Sequence, residues 1–186
     1  MGSDGFPTPD RHDGMATFPG PRHNQVRLVR NHERGYSPVP FEGDGEQPLV
    51  GNPDFAYDRN SGGACTTLLF DTAAMRLVDS FISINGTSVN CAGGPTPQGS
   101  WLTCEETNNG PSTNLPRAQG FQEKHGYIFE VPAEGGVVKD PQPHGRWDAL
   151  PTRPSPSTRP AESCTRPRTT APPQASTPSF PPGPGS

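Results

Sequence analysis

Apolar and polar positions alternate along this chain in short runs, and each run has the period of a strand. Val26-Arg27-Leu28-Val29-Arg30 alternates apolar and basic side chains, the pattern of a half-buried strand, and ends in the polar trio Asn31-His32-Glu33. Thr66-Thr67-Leu68-Leu69-Phe70 has a β-branched entry and an apolar centre. Asp71-Thr72-Ala73-Ala74 predicts a turn, and Arg76 to Ile84 alternates in part, so the two runs form a hairpin. Asn85-Gly86 predicts a second turn. Ser100 to Thr103 is a short strand, His125 to Val131 is a longer one closed by Pro132, and Gly135-Gly136-Val137-Val138 offers the start of another. Residues 1–25 read as turns, because the density of Pro and Gly argues against helix or central strand. Residues 34–63 read as one long loop and 107–124 as a polar one. No stretch keeps the spacing of an amphipathic helix. The result is an all-β meander with long Gly/Pro-rich loops, built as a propeller or a sandwich.

Composition limits how much of the chain this core can hold. The 186 residues allow one ordinary domain, but Pro is 26, Gly is 22 and hydrophobic residues are only 28%. Either the core is small or part of the chain lies outside it. The net charge of -4 gives no footprint for nucleic acid. No apolar run of membrane-spanning length occurs. The N-terminus has no apolar signal region, so the chain as written is expected in the cytoplasm. Cys65, Cys91, Cys104 and Cys164 fit no zinc spacing. A Cys91–Cys104 disulfide across a hairpin is conceivable, but nothing marks an oxidising compartment.

The chemistry concentrates between Asn90 and Glu106, which carries Cys91, Ala92-Gly93-Gly94-Pro95, Trp101-Leu102-Thr103, Cys104, Glu105 and Glu106. Carboxylates and amide oxygens such as that of Asn90 suit hard cations like calcium, and a thiolate such as Cys91 suits iron or zinc. Neighbours on a strand point to opposite faces, so Glu105 and Glu106 converge on one site only at a strand end or bulge. Ala92-Gly93-Gly94 reads as a turn where backbone approaches a ligand closely. The plain alternative is a surface Glu pair and a buried structural Cys. The cluster Asp10, His12, Asp13 reads as a solvated turn rather than a cation site.

These residues resemble the PhoX-type bacterial alkaline phosphatases. The resemblance is carried by His12-Asp13-Gly14-Met15-Ala16, Leu28-Val29-Arg30-Asn31-His32-Glu33, Gly62-Gly63, Thr66-Thr67-Leu68, the run from Asn90 to Glu106, and His125 to Val131. It implies a β-propeller, of which this chain holds a few blades, and hydrolysis of phosphate monoesters. It implies iron and calcium as cofactors, with a cysteine sulfur bridging irons. By position Cys91 resembles that thiolate, and Glu33, Glu105 and Glu106 resemble carboxylate ligands. Cys91, Glu105 and Glu106 would then form the catalytic centre, with Asn31 and Asn90 holding ligands or phosphate. Intact members of the family are expected to be monomers, exported by a twin-arginine signal to the periplasm or beyond.

The resemblance covers a domain at residues 1–146. From about Trp147 the chain is a Pro/Ser/Thr-rich stretch to residue 186 that reads as a disordered tail. Back-translated with GC-rich codons and read one base upstream, Thr152–Arg159 becomes His-Glu-Ala-Val-Ala-Val-Asp-Pro. Glu162–Thr170 becomes Val-Val-Tyr-Glu-Thr-Glu-Asp-Asp. Both resemble the way the family continues. The tail is therefore expected to be out-of-frame translation after a shift between Gly145 and Thr152, leaving Cys164 without a role and Met1 internal to a longer parent. A propeller missing blades leaves strand edges open, so the chain is expected to have little or no phosphatase activity. The competing readings are a non-catalytic calcium-binding β module with an authentic tail, and a propeller hydrolase acting on another substrate.

Overall fold

The computed structural model describes residues 2–35, 49–113 and 120–145. They form seven strands in two antiparallel sheets. Strands β1 (His12–Pro19), β2 (Gln25–His32), β3 (Gly63–Asp71) and β4 (Arg76–Thr87) lie in the order β1-β2-β3-β4, and β5 (Asn90–Pro95), β6 (Ser100–Glu105) and β7 (Ile128–Pro132) in the order β5-β6-β7. The all-β expectation holds, and the four-stranded meander has the form of a propeller blade. The helical content of the described residues is a single 3-10 turn, Pro53–Phe55, opened by the Asn52 side chain accepting from Asp54 N. No helix among them is long and apolar enough to cross a membrane.

The hairpin of β3 and β4 closes where its turn residues sit. One Asp71 carboxylate oxygen accepts from Ala73 N, Ala74 N and Asn24 Nδ2, which fixes the chain reversal. Strand β4 then runs past Asn85-Gly86, where a turn is expected, as far as Thr87. The residue Gly86 is a bulge with φ +77°, and a Cβ there would lie 2.6 Å from Tyr57 N. The carbonyls of Asn85 and Gly86 accept from Tyr57 N and Asp58 N, so a tertiary partner replaces the turn.

Three further sequence readings change. His12–Pro19 is a strand, not a turn; it lies at a sheet edge, where Pro19 deprives no second neighbour of a donor. Ala92-Gly93-Gly94 is strand, paired with β6. Gly135–Val138 joins no sheet, although Val138 N donates to Ser83 O. Cys65, Cys91 and Cys104 are free thiols, so Cys91 and Cys104 are not bridged. Residues 147–186 lie outside the described residues.

One small core joins the sheets. Phe18, Val29, Cys65 and Ile84 of the first sheet pack with Trp101, Phe129 and Val131 of the second and with Ala133. Full burial of a side chain such as Ile84 or Phe129 is worth roughly 1.5–3 kcal/mol. A satellite cluster holds Val50, Ala64 and Ile82. Strand β5 packs across β1 and β2, and this crossing sets up the site.

Candidate metal site

Three strands deliver chemistry to one spot. Asp13 lies in a register slip of β1, Glu33 follows the end of β2, and Cys91 is the second residue of β5. One carboxylate oxygen from each acid and the Cys91 sulfur lie within 4.8 Å of one another. Gly14 makes the close approach possible: a Cβ on it would sit 2.6 Å from the Cys91 carbonyl oxygen. Glu106, just past β6, adds its charge beside both Glu33 and Cys91.

Asn31 aligns β5 from beneath. Its Nδ2 donates to the carbonyls of Cys91 and Ala92, both at 3.0 Å. Its Oδ1 accepts from Trp101 Nε1 at 2.9 Å and from the Cys65 thiol at 3.1 Å. Because an indole N–H can only donate, this contact fixes which way the amide faces. The buried amide therefore links the core to the backbone that carries Cys91.

The electrostatics of the cluster favour a cation. Burial raises the Glu33 carboxyl, and the charges of Asp13 and Glu106 raise it further, with Arg11 opposing them. Burial also pushes the Cys91 thiol up, helped by hydrogen bonds to Asp13 and Glu106 and by their charges. Groups that hold protons against like charges release them when a positive ion arrives. The spacing fits as well, since ligand atoms roughly 2–2.6 Å from a common ion lie within about 5 Å of one another. Two hard carboxylate oxygens with one sulfur form a mixed donor set with the spacing that a metal ion requires.

The remaining residues singled out from the sequence sit elsewhere. Glu105 is 2% exposed and points away from Cys91, as strand alternation requires of the neighbour of Glu106. Its Oε1 accepts from Ser88 N at 2.8 Å and His125 Nδ1 at 2.7 Å, and its Oε2 from Gly126 N at 2.7 Å and Tyr127 N at 3.1 Å. Asn90 braces the corner before β5, accepting from Thr87 Oγ1 at 2.5 Å and donating to Thr103 Oγ1 at 2.8 Å. Of the Asp10, His12, Asp13 trio, Asp13 alone reaches the cluster. Asp10 pairs with Arg34 at 3.1 Å, and His12 Nε2 donates to Pro9 O.

Two functional-looking residues escaped the sequence reading. His125 and Asp58 are fully buried, and His125 Nε2 donates to Asp58 Oδ2 at 3.3 Å while Nδ1 donates to Glu105. Burial works against the imidazolium, but the bonds to Asp58 and Glu105 outweigh it and raise His125 to about 9. Asp58 moves the opposite way: burial raises its carboxyl, but His125 and the Glu123, Asn60 and Gln122 amides hold it below the usual range. His32, by contrast, is neutral: burial lowers it to about 4. Its Nδ1 donates to Asp10 O, which leaves Nε2 to accept from the Thr66 hydroxyl.

Residues 56–146 match the family described as Alkaline phosphatase PhoX. Over this segment the chain is similar to the PhoX family. Cys91, Glu105, Glu106 and His125 fall inside it, while Asp13 and Glu33 precede it. Among solved structures the chain is similar to Pseudomonas fluorescens PhoX in complex with vanadate, a transition state analogue, at 16% identity and a TM-score of 0.45. The alignment covers 72% of this chain and 34% of that one, so this chain spans about a third of that PhoX. Comparison with the curated proteins gives no match.

Proposed function

We propose that this chain supplies part of the metal-binding centre of a PhoX-type hydrolase of phosphate monoesters. One observation carries the proposal: the PhoX-matching segment places Cys91 within 4.8 Å of two carboxylates from the preceding strands. Asp13, Glu33, Cys91 and Glu106 would hold the ions, with the sulfur suited to iron and the carboxylates to calcium. Bound ions would clamp phosphate oxygens and stabilise the charge of an in-line displacement. The residues of the chain do the positioning. Asn31 fixes the Cys91 backbone, and the Asp13 bulge brings in a carboxylate from the sheet edge. Glu105 takes no ligand role in this assignment, since its oxygens are taken up by four donors.

Among the described residues the two sheets do not close into a propeller, so little or no turnover is expected from this chain alone. The test is calorimetric titration of calcium and iron into the chain and into Cys91→Ala, alongside turnover of a generic aryl phosphate. Iron binding that weakens by about tenfold or more in Cys91→Ala supports the assignment. Binding of neither metal would refute it. Calcium binding indifferent to Cys91 would favour a non-catalytic calcium-binding module.

A further inference from the structure

We propose that the buried chain Asp58–His125–Glu105 is a positioning unit that presets Glu106, Cys91 and Glu33 for cation binding. The inference rests on the metal-site assignment above and adds residues that touch no ion.

Val89 stands at the centre of this arrangement. Its φ is 52°, in the left-handed region, and it is β-branched. Such a residue costs on the order of 1–3 kcal/mol and persists only where its surroundings over-determine it. Val89 is also the junction of the site. Its N–H donates to Arg34 O at 2.7 Å, next to Glu33, and its carbonyl accepts from Glu106 N at 2.9 Å. Cys91 lies two residues on. Three of the four ligand-bearing segments, those of Glu33, Cys91 and Glu106, therefore meet at one strained residue.

The group that holds this corner is Glu105. It accepts from Ser88 N, immediately before Val89, and from Gly126 N and Tyr127 N across the sheet. Such a carboxylate positions well only if it cannot rotate. His125 prevents rotation by donating to it at 2.7 Å, and Asp58 fixes the far side of the ring. Asp58 is itself anchored by the amides of Asn60, Gln122 and Glu123 at 2.7–2.9 Å. Phe121 and Tyr57 close over the imidazole, with ring centroids 4.5 and 5.6 Å from it. The unit thus runs from the 57–61 loop through the ring to the corner that aims Cys91 and Glu106.

The test uses cobalt(II) alone as the probe, with the sulfur-to-cobalt absorption band as readout and circular dichroism as the check on folding. His125→Gln is expected to weaken cobalt affinity by about tenfold or more and to diminish the band. Ile82→Ala removes packing from the satellite cluster and is expected to lower the melting temperature while leaving the band and affinity unchanged. Val89→Gly added to His125→Gln relieves the strain and is expected to restore part of the affinity. Wild-type affinity in His125→Gln, or equal losses in His125→Gln and Ile82→Ala, overturns the proposal. If His125→Gln does not fold, Asp58→Asn replaces it. It leaves the bond from His125 to Glu105 in place and is expected to lose about threefold or more in affinity, and wild-type behaviour there is equally fatal. A wild-type chain without the band removes the metal-site assignment itself, and this proposal with it.

Discussion

Raising the pH through the range in which His125 loses its proton should destabilise the protein, with the loss beginning well before any tyrosine titrates. The imidazole donates from both nitrogens to two buried carboxylates, which requires the protonated ring. Its pKa rises from 6.5 to about 9 on folding: burial opposes the charge, and Asp58 and Glu105 more than restore it. A group raised in the folded state stabilises fully below its unfolded value of 6.5. That contribution shrinks as pH climbs and is gone above about 9. At roughly 1.4 kcal/mol per pH decade, the interval is worth about 3 kcal/mol. Urea unfolding followed by circular dichroism at half-unit steps from pH 6 to 9 reads this directly. The wild type should lose most of the 3 kcal/mol across that window, and His125→Gln should be flat within it. Cys91 and Tyr57, whose pKa values burial also raises, add losses only above their own unfolded values near 9 and 10. A wild-type curve level to within about 1 kcal/mol, or a variant with the same slope, would refute the reasoning.

Other consequences are equally direct. Asn31→Ala strips Trp101 Nε1 and two β5 carbonyls of their partner, and should cost about 2–4 kcal/mol in urea unfolding and weaken metal binding. Gly14→Val drives a side chain against the Cys91 carbonyl and should cost about 1–3 kcal/mol, with a loss of metal affinity that Gly94→Val, in open space, does not share. Without metal, the Cys91 thiol should react slowly with iodoacetamide at pH 7.5, because burial and the neighbouring acids keep it protonated; labelling as fast as a free thiol would contradict the geometry. Finally, the PhoX match ends at 146, beside the change of composition near Trp147. We propose that the stretch beyond is read out of frame. Sequencing the gene across Gly145 to Thr152 should reveal a family-like frame, and its absence would refute this.

Strands held by their own hydrophobic pattern could be read from the sequence. The β3–β4 hairpin follows from Thr66–Phe70, the Asp71 turn and the run to Ile84, because local alternation and turn chemistry agree there. Strand β1 could not be read, since an edge strand tolerates Pro and Gly and its partner β2 supplies the pairing. Gly86 misled for the converse reason: a turn dipeptide was stretched into a bulge by a loop lying against it. In the site, Glu33, Cys91 and Glu106 were visible as chemistry at strand ends. Asp13 was visible but read as a solvated turn, because its partners lie 20 and 78 residues away. Asp58 and His125 carried no local signal. A single carboxylate in a loop and a histidine at a strand entry become a relay only when Glu105 stands between them in space.

The grip of Asn31 on β5 has a consequence for how mutations are tolerated. It holds the carbonyls of Cys91 and Ala92, and every amino acid carries a carbonyl. The alignment of the strand is therefore blind to what stands at position 92, while everything depends on what stands at 31. A saturation library would separate the two. Position 92 should accept most residues that fit its half-buried space, and position 31 almost none, because no other side chain offers two donors to the strand and an acceptor to Trp101 from so short a reach. The information that orients the thiol is thus stored 60 residues upstream of it, on a different sheet.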